Sequence, residues 1–307
     1  SNQEPATKNQ EPATKNQQQA TKNQQPRTKN QQQATKNQQP RTLSNERTKM
    51  KIAVSGKGGV GKSTLAAALA LLLARRGQTV LAVDADPDAN LAASLGVPAD
   101  ERRRMIPIAR QVAMIEERTG AKVGRSGQIF KLNPDVSDIA DTFAWRHDGV
   151  ALLVLGAVER GGGGCACPEN VLLKALVSDV VLNRDETLVM DMEAGIEHLG
   201  RGTTRGVDVM IVVVEPGQRS VDTARRVFEL GGQIGLRRFR VVANKIATPA
   251  DEAFVRSAFP GEELLGIIPY TEELRGADRE GRSVLDGLSP ALLARFEAIL
   301  LNVSELF

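Results

Sequence analysis

From residue 50 onward, short continuous apolar runs alternate with stretches of helical periodicity. The runs at 51–55, 79–83, 150–155, 186–190, 209–214, 239–243 and 264–268 are dominated by Val, Ile, Leu and Ala. Their lack of polar alternation predicts strands covered on both faces. Between them, 63–76 reads as an Ala/Leu helix stopped by Gly77, 169–182 reads as a second helix, and 289–306 carries a helical apolar face. Strands separated by helices predict a doubly wound α/β fold, with a mostly parallel sheet, helices on both faces and ligands beyond the strand carboxyl ends. Residues 99–145 break this rhythm. The stretch 101–117 has helical composition interrupted by Pro107, and 130–145 reads as an insertion to which no activity is assigned.

Residues 2–43 show neither period. NQEPATK and its variants NQQQATK and NQQPRTK follow one another without a gap, six copies with a period of seven. A coiled coil needs two large apolar residues per heptad, whereas each unit here offers at most an Ala and most contain Pro. Such a composition cannot bury enough apolar surface to offset the entropy of ordering, so 1–49 is expected to be a disordered tail. The globular domain is expected to span 50–307, with Met50 as the start of the native chain.

Charge follows the same division. The whole chain has a net charge of +3, but the first 49 residues hold nine Lys or Arg and three Glu. That leaves 50–307 with 31 basic and 34 acidic residues, a net of −3, which argues against a DNA-coating surface. No run of 18 apolar residues occurs and the N-terminus lacks a signal-peptide core, so a cytoplasmic protein without a membrane anchor is expected. Cys165 and Cys167 are too close for an unstrained bridge, which also suits a reducing compartment.

Gly56-Lys57-Gly58-Gly59-Val60-Gly61-Lys62-Ser63 satisfies G-x-x-x-x-G-K-[ST] between a predicted strand and a predicted helix, with Thr64 next. Glycines let successive N–H groups turn towards phosphate oxygens, and the helix N-terminus adds partial positive charge. Lys62 is expected to reach the β- and γ-phosphates of ATP and Ser63 to ligate Mg²⁺. Gly56, Gly58 and Gly61 also fit a dinucleotide loop, with Asp84 or Asp86 as the ribose acid. Two lysines around the phosphates favour a triphosphate.

The second lysine, Lys57, makes the loop KGGVGKS, which resembles the deviant Walker A motif of the MinD, ParA and nitrogenase iron-protein group. That resemblance implies an ATP-dependent homodimer in which Lys57 reaches the partner's nucleotide, much as an arginine finger does. It also implies that Val83-Asp84-Ala85-Asp86-Pro87 is the first switch, with Asp86 acting on Mg²⁺ and the attacking water. Asp191, ending an apolar strand, reads as the Walker B carboxylate, and Asp191-Met192-Glu193-Ala194-Gly195 as the second switch. Asn244, Lys245 and Pro269 resemble the adenine-contacting strand ends. An Asp at a strand end can equally be a helix cap.

Four glycines, 161–164, precede Cys165-Ala166-Cys167-Pro168. Paired thiols in a reducing compartment point to metal or redox chemistry, and thiolates suit Ni²⁺, Zn²⁺ or Cu⁺. One Cys-x-Cys supplies two ligands, so two chains across a two-fold axis would complete a Cys₄ site. Together with DMEAGIEHLGRG at 191–202, the pair resembles the CooC-type accessory ATPases. That resemblance implies nickel (or zinc) held between subunits by Cys165 and Cys167, and carbon monoxide dehydrogenase as client.

Three alternatives stay open. An iron–sulfur scaffold or reductase would use the same shared thiols. A ParA-like partition ATPase would need DNA contacts from Arg201, Arg205, Arg219, Arg225, Arg226, Arg237, Arg238 and Arg240. A MinD-like membrane ATPase would need a basic amphipathic helix, yet 289–306 carries only Arg295, Glu297 and Glu305, and packing against the sheet is the expected fate of its apolar face.

Overall fold

Strand β1 (Lys51–Ser55) presents Ile52 and Val54 to one apolar cluster and Ala53 to another on the opposite face, so every central residue must be apolar. The same division recurs in β6 (Val209–Val214), where Val209, Ile211 and Val213 face the first cluster and Met210, Val212 and Val214 the second. A sheet covered on both sides explains why these strands show no polar alternation. The structure is a computed structural model describing residues 49–125, 127–157, 167–193, 199 and 203–307.

With β2 (Val80–Ala85), β3 (Trp145–His147), β4 (Val150–Val154), β5 (Thr187–Met192), β7 (Phe239–Ile246) and β8 (Leu264–Pro269), the strands form one sheet in the order β3-β4-β2-β5-β1-β6-β7-β8. All neighbours are parallel except β3 and β4. The doubly wound expectation therefore holds. Helix α1 (Lys62–Arg75) leaves β1, and the chain returns as β2 two strands away, with β5 between them. Meanwhile β6 lies on the other flank of β1, so the strand order reverses at β1, where α/β folds open a crevice for ligands.

The helices fit the faces they cover. Residues Leu65 to Leu73 of α1 are all buried, and alanines along it permit close approach to the sheet. Leu292, Phe296, Ile299 and Leu300 of the helix Pro290–Ser304 join the same cluster, so its apolar face packs internally, as expected. Pro168–Leu182 and Gln218–Ile234 cover the opposite face. Among the described residues no helix is long and apolar enough to cross a membrane.

The segment 99–145, of which 130–145 read as an insertion, is folded into the domain. It holds the helices Ala99–Arg102, Val112–Thr119 and Ile139–Phe143 and a 3₁₀ turn, Ile108–Arg110. Ile108, Met114, Ile115 and Ile139 from it enter the second cluster. It ends in β3, whose Trp145 donates from Nε1 to Glu101 Oε2 at 3.1 Å. Three residues of half-exposed antiparallel edge are too short for any periodicity to register. Strand β7 also runs three residues past its expected end, carrying Asn244 and Lys245 within it.

Candidate functional site

The loop between β1 and α1 is shaped by two glycines. Gly56 has φ +144°, and a Cβ there would lie 2.5 Å from the Val213 carbonyl oxygen on β6. Gly61 has φ +99°, and a Cβ there would lie 2.2 Å from Asn244 Nδ2. Both positions combine left-handed backbone with a close approach that only glycine tolerates. Gly61 is also the N-cap of α1 and makes no side-chain cap bond, which leaves the first N–H groups of the helix facing the cleft.

The far end of β7 clamps this loop. Asn244 is buried, donating from Nδ2 to the Val60 carbonyl at 2.8 Å and accepting the Lys245 N–H on Oδ1 at 2.9 Å. Lys245 Nζ donates to the Gly59 carbonyl at 2.6 Å and pairs with Glu215 at 3.0 Å. Asn244 and Lys245 thus help to shape the phosphate loop, and both also line the cleft described below. Asn244→Ala would strand a buried carbonyl at a cost of about 1–3 kcal/mol. The expected result is a lower melting temperature and about tenfold weaker binding of a non-hydrolysable ATP analogue, read by calorimetry.

Four charged groups meet beneath the loop. Lys62 Nζ lies 3.1 Å from Asp86 Oδ2, and both side chains are at least nine-tenths buried. Asp86 Oδ1 also accepts the Asp88 N–H at 3.1 Å. Asp84 accepts the Leu91 N–H at 2.9 Å and the Asp86 N–H at 3.3 Å. It stands in register with Asp191 on the neighbouring strand β5. Burial, then the charge of Asp191, push the Asp84 carboxyl up to about 8. Burial likewise raises Asp191 to about 6, against the Ser63 hydroxyl and the Lys62 charge, which favour its ionised form.

Asp191 tests whether magnesium fits. It is fully buried, and neither carboxylate oxygen has a partner in hydrogen-bond geometry among the described residues. Unpaired buried carboxylate oxygens next to a hydroxyl form the all-oxygen donor set that a hard divalent cation takes. Asp191 and Ser63 are the residues that would hold Mg²⁺, with Asp86 close by. Ser55 Oγ donates to the Glu193 carbonyl at 2.9 Å, fastening the residue after β5 to the end of β1.

Above these groups opens a cleft of about 630 Å³, in the range of nucleotide-sized pockets. Gly58, Gly59, Gly61, Lys62, Ser63, Thr64, Asp86, Asn244, Lys245 and Pro269 all line it, as the sequence reading requires. Gly56 and Val60 lie behind the loop, both buried. Three lining or supporting groups were not anticipated: Glu215 at the carboxyl end of β6, and Arg275 and Asp278 on the helix Glu272–Glu280. Arg275 stacks 5.5 Å from the Tyr270 ring centroid. The signal for Glu215 was its place just after an apolar strand; Arg275 and Asp278 had none, being ordinary charges on an exposed helix.

Lys57 is exposed, forms no ion pair with a described residue and lies outside the cleft lining. Cys165, Ala194 and Gly195 fall outside the described residues. Cys167 is half-buried and is the N-cap of Pro168–Leu182. No group of three or more His, Cys, Asp or Glu able to hold a metal occurs among the described residues.

Residues 51–284 match the profile of the CobQ/CobB/MinD/ParA nucleotide binding domain. The chain belongs to the CobQ/CobB/MinD/ParA family. This family member is 44% identical over 256 residues to the carbon monoxide dehydrogenase accessory protein CooC of Rhodospirillum rubrum, covering 83% of this chain and 97% of that protein. It is 41% identical over 238 residues to an uncharacterized ATP-binding protein of Methanocaldococcus jannaschii, covering 76% and 91%. Its fold is shared by a ParA family ATPase from Chlorobium tepidum, with a TM-score of 0.60 and 18% identity over 82% of this chain and 98% of that one. A chain of the MinC:MinD complex of Aquifex aeolicus superposes with a TM-score of 0.57 and 23% identity over 83% and 96%. The resemblance read from KGGVGKS is therefore real, and the MinD/ParA-family protein described here is a P-loop ATPase that takes ATP with Mg²⁺.

Proposed function

We propose that this ATPase is a metallochaperone for carbon monoxide dehydrogenase: it closes into a homodimer around ATP, carries nickel between Cys165 and Cys167 of two chains, and releases it to the client on hydrolysis. The observation that carries the reading is the identity to CooC along 97% of that accessory protein. Zinc would occupy the same thiolates, since both ions accept sulfur ligands.

The chain's own residues divide the work as follows. Lys62 gives up Asp86 for a β- or γ-phosphate oxygen, because a doubly charged phosphate outcompetes a single carboxylate for a buried ammonium. Asp86, so released, orients the attacking water. Asp191 and Ser63 would hold magnesium, which when bound would neutralise phosphate charge. Lys57, exposed at the rim, is free to reach the nucleotide of a second chain and stabilise transition-state charge. Loss of the γ-phosphate then frees the two switches and lets the dimer open. If ATP and metal both favour the closed dimer, each tightens the other by the same factor.

The deciding measurement is nickel stoichiometry with a non-hydrolysable ATP analogue, with ADP and with neither, taken together with molar mass. About one nickel per two chains, appearing with the dimer, is the expected result. Cys165→Ser and Cys167→Ser are each expected to abolish stoichiometric nickel while leaving nucleotide binding intact. Unchanged metal in both variants would end the cargo reading. Uptake of iron and sulfide in place of nickel would favour a cluster scaffold.

A further inference from the structure

Exposed apolar side chains are unevenly spread over the domain. Of the nine large ones among the described residues, Ile106, Val112, Ile129 and Leu132 all come from one segment. Ile129 is 97% exposed, Leu132 67% and Ile106 59%, the three highest values of the nine. A contiguous set of such groups marks a contact surface.

Hydrogen bonds bring the four together. Gln111 donates from Nε2 to the Ile106 carbonyl at 3.2 Å, which sets Ile106 beside the start of the helix Val112–Thr119. Val112 and Glu116 stand one turn apart on the same row of that helix. Glu116 accepts the Val123 N–H at 3.1 Å and pairs with Lys122, so the chain folds back onto that row. Gln128 accepts the Lys122 N–H at 2.8 Å, which puts Ile129 next to it. The Lys131 N–H donates to the Thr119 carbonyl at 2.9 Å, which puts Leu132 by the far end of the helix. The segment is tied to the first switch as well: the Ala109 N–H donates to the Leu155 carbonyl and the Leu155 N–H to the Asp84 carbonyl, each at 2.9 Å. The surface thus adjoins the carboxyl ends of β4 and β2, where the cleft opens.

Charge narrows what covers it. Residues 99–132 hold eight Lys or Arg and four Asp or Glu, within a domain whose net charge is −3. Arg103, Arg104 and Lys131 are exposed and form no ion pair with a described residue. Four large aliphatic side chains gain nothing against a nucleic-acid backbone, whose interfaces are polar. Glu116 and Glu117 in their midst oppose an anionic bilayer. A second copy across a two-fold axis would bring the same cations face to face. An apolar centre among cations fits an acidic protein surface, whose carboxylates arginine takes two-pronged.

We propose that Ile106, Val112, Ile129 and Leu132, with Arg103, Arg104 and Lys131 beside them, form the docking surface for an acidic face of the client protein. This rests on the client reading above and names where on the chain the client sits.

The probe is purified carbon monoxide dehydrogenase on a sensor surface, with the full chain and a non-hydrolysable ATP analogue in solution. Ile129→Asp, and Arg103→Glu combined with Arg104→Glu, are each expected to weaken binding about tenfold or more. The parent's affinity should fall more steeply with salt than that of the arginine variant. Client-free ATP turnover, molar mass with the analogue and melting temperature should keep parent values, because these side chains are exposed and lie outside the cleft lining. Parent-like binding by both variants would overturn the surface and leave the client reading standing. No binding by the parent would overturn the client reading and this proposal with it. Loss of the analogue-bound dimer in the variants would assign the patch to a second copy. Binding of the parent, but not of Ile129→Asp, to vesicles of anionic phospholipid would assign it to a membrane, and either assignment overturns the proposal.

Discussion

Lys57→Ala is expected to lower ATP turnover by about a thousandfold or more while leaving affinity for a non-hydrolysable analogue within a few fold. The side chain is exposed and lies outside the lining of the chain's own cleft, so its removal takes no contact from nucleotide bound there. A cation delivered only when two chains meet acts on the transition state more than on the ground state, and such a group changes kcat more than binding. Mixed dimers separate a trans-acting lysine from a cis-acting one. Lys57→Ala subunits combined with Asp86→Asn subunits contain one cleft with an intact Asp86 facing an intact Lys57. Recovery of turnover on mixing two inactive variants is the expected outcome, and no recovery would assign Lys57 to its own cleft.

Lys62→Ala carries the second large effect, on binding and stability together. Lys62 is paired with Asp86 in a buried ion pair, and its loss leaves that carboxylate buried without its cation. Breaking one side of a buried pair costs about 3–5 kcal/mol. Nucleotide affinity should fall by about a hundredfold or more, because the ammonium also neutralises the phosphates. A second substitution distinguishes the two losses: Lys62→Ala with Asp86→Ala should regain much of the melting temperature, since no uncompensated charge remains, yet should not regain ATP binding. If the double variant bound ATP like the parent, Lys62 would have only a structural part.

Much of this site was legible because it is written in consecutive residues. An eight-residue loop with glycines at 56, 58, 59 and 61 sets its own backbone geometry, and the lysine and serine that follow are placed by the first turn of α1. Asp86 and Asp191 were legible because each stands at the carboxyl end of an apolar strand, Asp86 just after β2 and Asp191 near the end of β5, where α/β folds face the crevice. The departures arose where local pattern and long-range packing disagree. Residues 130–145 looked like an insertion because short helices leave little period, yet Val136 and Ile139 are among the buried core. Asn244 and Lys245 read as lying just past a strand, but β7 continues through them and turns polar groups of both onto the phosphate loop.

By itself, then, the sequence determined that strands are buried on both faces, that a triphosphate loop joins the first strand to a helix, and that two thiols sit one residue apart ahead of another helix. These follow from periodicity and spacing, which act over a few residues and need no knowledge of what lies beyond. Only the tertiary structure decided that β5 lies between β1 and β2, which buries both carboxyls and so raises them, and brings Asp191 into register with Asp84, where its charge raises Asp84 further. It alone set the Asn244 clamp on Val60, 184 positions away. Strand order is chosen by how crossover helices cover the sheet as a whole, and two groups distant in the chain acquire a shared low-dielectric environment only once that choice has been made.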